Sequence, residues 1–227
     1  MAPKSTTRPL PGRQQLSREF ITRHQRVRII TALALETSEQ GYREVTVADI
    51  VKRAGIARNT FYENFRSKED CFLAAQEFAM STALERVVDA AGELDEWPRR
   101  VCAGLAAFLD YVVEEPALAR TCMVEALAAG PAAVRYYEES QQAFVSLFKL
   151  GRDVSPHGAG LPETIEEAII GGVFWIVYQR LAVAETQAIE DLLPELVEFA
   201  LTPYMGAEEA RAVVVAETGD APKAPTG

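Results

Sequence analysis

Histidine, cysteine and tryptophan are scarce in this chain: 2 His, 3 Cys and 2 Trp among 227 residues. The cysteines, Cys71, Cys102 and Cys122, are odd in number and far apart, with no Cys-x-x-Cys pair. That argues against a disulfide framework or a zinc site and leaves three reduced, partly buried thiols as the expectation. His24 lies in a basic stretch and His157 in a Pro/Gly-rich loop, neither with a Glu or second His at metal-binding spacing. No metal and no cofactor are expected, and chemistry that needs a histidine base has few places to sit. There is no G-x-S-x-G, no G-x-x-x-x-G-K and no G-x-G-x-x-G. No catalytic constellation can be named, so the chain reads as a non-enzyme. Long apolar runs are missing too. The longest, Ala168 to Tyr178, is about half of the roughly 20 residues a membrane helix needs. With no secretory signal in sight, a cytoplasmic location away from membranes is expected.

Positive charge is also in deficit. The chain has 23 Lys+Arg against 33 Asp+Glu, a formal net charge of −10. Taken whole, that sign opposes nucleic-acid binding. The charge is unevenly divided, however. Residues 1–70 hold 13 basic and 8 acidic side chains, and the remainder holds 10 and 25. A basic head on an acidic body is expected where only one end meets an anionic polymer.

What is present is helical periodicity, with no alternating strand pattern and no internal repeat. The expected fold is all-α. Residues 1–17 contain Pro3, Pro9, Pro11 and Gly12 with no acidic residue and read as a flexible basic arm. From Arg18, a first helix carries Phe20, Val27, Ile30 and Ala34 on one face, widened by Ile29 and Leu33, and stops at Gly41. Thr46-Val-Ala-Asp49 is a capping box, and Val47, Ile50, Val51 and Ala54 follow as the buried stripe of a short helix ended by Gly55. A third helix spans about Ala57 to Phe65. Ser67-Lys-Glu-Asp70 is a second capping box, opening a long helix to about Ala91. Further helices are expected over Trp97–Glu114, from Pro116 to Gly130, from Pro131 to about Leu150, over Thr164–Glu185, over Ile189–Tyr204 and over residues 207–216. Residues 153–162 read as a loop and residues 217–227 as a flexible tail.

Two short helices joined by a tight glycine turn can present the second helix to a DNA major groove. On the third helix Phe61 and Phe65 fall together toward the core, which leaves Asn59, Tyr62 and Glu63 outward, flanked by Arg58 and Thr60. Arg58 could fork to guanine or phosphate, Asn59 could pair with adenine, and Thr60 could touch a thymine methyl. Tyr62 offers a hydroxyl to phosphate. Thr46 and Lys68 sit at helix starts, where N–H groups and positive charge attract phosphate. A helical hairpin that merely packs has the same spacing; the basic head and the polar outer arc favour DNA.

The stretch from Thr46 to Asp70, with its Phe61-Tyr-x-x-Phe65 run and Ser67-Lys-Glu helix start, resembles the tetracycline-repressor-like (TetR) family of transcriptional regulators. The resemblance covers about Val27 to Leu73; beyond it, the chain fits only in outline. It implies an 18–66 helix-turn-helix DNA-binding domain carrying Arg58, Asn59, Thr60, Tyr62 and Asn64 on or beside the recognition surface. It also implies a 67–216 helical ligand-binding and dimerisation domain. The sequence departs from the family pattern at Ala57 (a capping Ser or Thr), Asn59 (a Gly), Asn64 (a His) and Thr37 (a large aromatic).

The implied function is a ligand-responsive homodimeric repressor, released from a pseudo-palindromic double-stranded DNA operator by a small-molecule effector. An activator, or a small-molecule-binding protein whose head serves a protein partner, remains the alternative. Candidate pocket residues are Phe108, Tyr111, Met123, Tyr137, Phe144, Phe148, Trp175 and Tyr178. Ile170, Val173, Phe174 and Val177 cover more of their helix than one core face needs, and they are the candidate dimer interface.

Overall fold

A computed structural model describes residues 12–92, 94–183 and 187–219. Among these residues all the regular secondary structure is helical, with no strand. The helix α1 spans Gly12–Gln40. Residues 12–17 therefore extend this helix instead of belonging to the arm expected over 1–17. The last of the early prolines is Pro11, and Arg13-Gln-Gln-Leu16 is built of good helix formers. Residues 1–11 of the expected arm and 220–227 of the expected tail lie outside the described residues.

The head continues with α2 (Val47–Ala54) and α3 (Arg58–Asn64). Thr46 caps α2 as its sequence requires: its hydroxyl accepts from the Asp49 N–H at 3.3 Å, and Asp49 accepts from the Thr46 N–H at 2.9 Å. Gly55 ends α2 in the left-handed region at φ 62°. Its N–H reaches the Lys52 carbonyl, and the Ile56 N–H reaches that of Val51. This is a Schellman closure, in which glycine escapes the Cβ penalty. Ala57 gives α3 no side-chain cap, a loss of about 0.5–2 kcal/mol against a Ser or Thr. Two arginines of α1 work at the opposite ends of these helices: Arg28 donates to the Ala54 carbonyl and Arg26 to that of Asn64. Ile29, Leu33, Ile50, Phe61 and Phe65 form the core of the head, all nearly inaccessible to solvent.

The body comprises α4 (Lys68–Gly92), α5 (Trp97–Glu114), α6 (Pro116–Met123), α7 (Ala126–Ala129), α8 (Pro131–Phe148), α9 (Gly151–Val154), α10 (Ile165–Ala182), α11 (Gln187–Glu190), α12 (Leu193–Met205) and α13 (Ala207–Thr218). The segment expected as one helix from Pro116 to Gly130 is broken at Val124-Glu125. That from Ile189 to Tyr204 is divided because Pro194 belongs to a new first turn, which suits a residue without an N–H. The expected loop over 153–162 holds the end of α9 and a 3-10 turn at Gly158–Gly160. Beside it, the buried Glu166 accepts from Arg152 Nε at 2.7 Å, Arg152 Nη2 at 2.9 Å and the Tyr204 hydroxyl at 2.9 Å. This network ties α9, α10 and α12 together, and each carboxylate oxygen is satisfied, as a buried charge demands.

One continuous apolar core runs from head to body. The three cysteines are free and buried, and burial pushes the thiols of Cys71 and Cys122 up to about 12. They are packing residues, not thiolate nucleophiles. No helix among the described residues is long and apolar enough to cross a membrane.

Candidate nucleic-acid interface and ligand cavity

The third helix divides its side chains sharply. Phe61 is fully buried, while Arg58, Asn59, Tyr62 and Glu63 are exposed and Thr60 is half-buried. Tyr62 stands edge-on to Phe61, with ring centroids 5.4 Å apart. The Arg58 guanidinium lies 5.7 Å from the Tyr62 ring and 3.4 Å from its hydroxyl. Arg58, Asn59 and Tyr62 thus form one polar outer face, with an aromatic ring held upright at its centre. Thr46, at the start of α2, is also exposed, with its side chain engaged in the capping box.

Two expected surface residues are placed differently. Asn64 turns inward: its Nδ2 donates to the Thr60 carbonyl at 2.8 Å, and its Oδ1 is buried. The C-terminal end of a seven-residue helix points back at the core here, and Arg26 closes over it. Lys68 is half-buried and donates to the carbonyls of both Tyr42 and Val45 at 2.7 Å. It also lies 4.1 Å from the Tyr42 ring centroid, and burial draws its pKa below the usual lysine value. With those partners Lys68 is a bracket between the α1–α2 loop and the start of α4, and its hydrogen bonds point into the protein. Arg53 is likewise spent on Glu36 and Glu39, and Arg66 on Asp70.

In the body, a cavity of about 230 Å³ lies between the C-terminal ends of α4 and α8, the first half of α5 and the middle of α10. Three of the candidate pocket residues, Phe108, Phe144 and Phe148, line it, joined by Trp97 and Arg100, which sequence reasoning did not select, and by Phe174, which it placed at the dimer interface. Tyr111, Met123, Tyr137, Trp175 and Tyr178 are not in its wall. Tyr111 and Met123 are buried elsewhere in the core. Trp175 is 58% exposed and stacks on Tyr178 at 5.3 Å, on the outer side of α10.

The candidate dimer residues need the opposite correction. Ile170, Val173, Phe174 and Val177 are buried within the single chain, and Phe174 packs on Phe108 and Phe144 at 5.2 and 5.5 Å. The outer face of α10 instead presents Ala168, Gly171 and Trp175. A Cβ on Gly172 would meet the Phe199 ring of α12 at 3.0 Å, whereas one on Gly171 would meet nothing.

Residues 29–75 match the family model described as bacterial regulatory proteins, tetR family. The chain carries a TetR-family DNA-binding head. All of the outward residues of α3 fall inside the matched span. The larger helical body that follows this TetR-type head also has the architecture of solved regulators. The fatty acid degradation regulator FadR of Bacillus halodurans has a TM-score of 0.72 at 18% identity, over 78% of this chain and 94% of that one. FadR of Bacillus subtilis, solved with stearoyl-CoA, has a TM-score of 0.67 at 17% identity, over 78% and 98%. A gamma-butyrolactone receptor described as ArpA-like has a TM-score of 0.69 at 16% identity, over 88% and 97%. At such identities the likeness is one of fold. No curated protein matches the sequence.

Proposed function

We propose that the chain is a ligand-responsive transcriptional repressor, a homodimer that binds a pseudo-palindromic operator and leaves it when a small molecule enters the body. In this reading residues 18–66 form the DNA-binding unit and 67–216 the ligand-binding and dimerisation unit, in the cytoplasm. The observation that carries it is the exposed polar face of Arg58, Asn59 and Tyr62 on a short helix whose opposite face is fully buried. Such a face loses no core contact by entering a major groove.

Two features of the body support ligand response. One is the apolar cavity, and two structural neighbours are described with small-molecule ligands, a FadR solved with stearoyl-CoA and a gamma-butyrolactone receptor. The other is a physical connection from cavity to head. Ile170, Val173 and Phe174 of α10 line the cavity. Arg120 of α6 donates to the Leu181 carbonyl near the end of α10 at 2.6 Å, and Thr121 of α6 donates to the Ala34 carbonyl of α1 at 3.2 Å. A shift of α10 would therefore be felt by α1. Dimerisation is assigned to the outer face of α10, where Trp175 is exposed beside Gly171. Two-fold symmetry would then set the half-sites about 34–36 Å apart, or a multiple of that.

The test is a salt titration with DNA from the chain's own promoter region. Several phosphate contacts require log K to fall steeply with log salt. A specific complex with that slope is expected; no specific complex even at low salt would remove the repressor reading.

A further inference from the structure

The cavity in the body is built almost wholly of hydrocarbon. Among its lining residues only Trp97 and Arg100 carry a polar atom on the side chain; the rest, such as Val101, Phe108, Phe144 and Phe174, offer none. A sugar or polyol would lose its hydrogen bonds to water here without replacement. The volume of about 230 Å³ is room for about eight non-hydrogen atoms, at roughly 30 Å³ for each water-sized unit.

Arg100 stands where this cavity meets an outer cleft, since it lines both, together with Trp97 and Leu150. Its Nε donates to the Leu94 carbonyl, which fixes the plane of the guanidinium. Its two terminal nitrogens have no hydrogen-bond or ion-pair partner among the described residues. The cleft beyond is lined by Asp95, Glu96 and Asp153, none of which forms an ion pair with it. A guanidinium whose terminal N–H groups meet no partner among the described residues, at the rim of an apolar hole, is suited to a planar carboxylate. The three carboxylates farther out oppose a polyanionic headgroup.

We propose that this cavity takes a small amphipathic monocarboxylate, an apolar chain of about eight carbons whose carboxylate rests on Arg100. The proposal rests on the reading of the cavity as the effector site and narrows it: the free acid is accepted and its nucleotide thioester is not.

Calorimetry with octanoate, octanol and octanoyl-CoA on the intact protein tests it. Octanoate should bind about tenfold or more tighter than octanol, the scale of a charge-assisted hydrogen bond, and octanoyl-CoA more weakly than octanoate. Arg100→Met should abolish the preference for acid over alcohol, and Arg100→Lys should restore part of it. Equal binding of acid and alcohol, a preference that survives Arg100→Met, or tighter binding of the thioester would each overturn the proposal while leaving the cavity a ligand site. If none of the three binds, the proposal also falls. An apolar fluorescent dye then decides the broader reading: dye bound in the cavity retains the effector site, and no dye bound removes it.

Discussion

The backbone N–H of Tyr42 donates to Glu125 Oε2 at 3.0 Å, across 83 residues of sequence. Tyr42 follows the end of α1 in the head, and Glu125 occupies the break between α6 and α7 in the body. The same Tyr42 gives its carbonyl to Lys68 and its ring to Phe72, edge-on at 4.8 Å. Three contacts between head and body thus converge on Tyr42. Glu125→Ala should lower stability by about 1.5 kcal/mol, the low end for a hydrogen bond to a charged group because this one is only part-buried. Urea unfolding measures the loss. Amide exchange at Tyr42 should quicken more than at its neighbours, and unchanged protection there would show that the bond does not form in solution.

Lys68 is the residue whose role changes most between sequence and structure. As a phosphate contact, its removal would lower the slope of log K against log salt by about one. As a bracket on Tyr42 and Val45, its removal strands two carbonyls and leaves the DNA-facing charge unaltered. Lys68→Met should therefore lower the melting temperature and leave the salt slope unchanged. A slope reduced by one, with stability retained, would return Lys68 to the DNA interface.

Tyr62 is 47% exposed on the outer face of α3, so truncating it leaves the core intact. Tyr62→Ala should weaken operator binding by about 1–3 kcal/mol, roughly five- to 150-fold, with little change in thermal stability. Tyr62→Phe separates the ring from the hydroxyl: affinity retained by phenylalanine assigns the contribution to the ring. Affinity unchanged in Tyr62→Ala would remove this residue from the interface.

The head was legible in the sequence because its signals are local. The Thr46–Asp49 box, the Gly55 turn and the Phe61/Phe65 pair each depend on residues within one or two turns, and all three stand as expected. What distant partners decide was not legible. Arg26, Arg28, Arg53 and Lys68 counted toward a basic DNA-binding surface, yet each is engaged within the protein by a carbonyl or carboxylate 14 to 38 residues away. The positive charge left for DNA is correspondingly smaller and centres on residues such as Arg58. The same holds in the body. Periodicity identified an apolar helix over α10, but it could not say which flank meets the chain's own core, because Val173, Phe174 and Trp175 are similarly apolar in sequence.

Phe174 and Trp175 therefore make the most discriminating pair of substitutions. Phe174 is 2% exposed, with three aromatic rings around it at 5.2 to 6.1 Å. A carboxylate there would be buried without a partner at a cost of several kcal/mol. Phe174→Glu should fail to reach the native state, whatever its oligomeric form. Trp175 is 58% exposed, one residue on and on the other side of the helix. Trp175→Glu should keep the monomer's helical content and melting behaviour, yet shift the protein from dimer to monomer in sedimentation. Because a dimer grips two half-sites at once, the same variant should lose affinity for the full operator far more than for an isolated half-site. A stable Phe174→Glu protein would contradict the core assignment of α10, and an intact Trp175→Glu dimer would move the subunit interface away from this face.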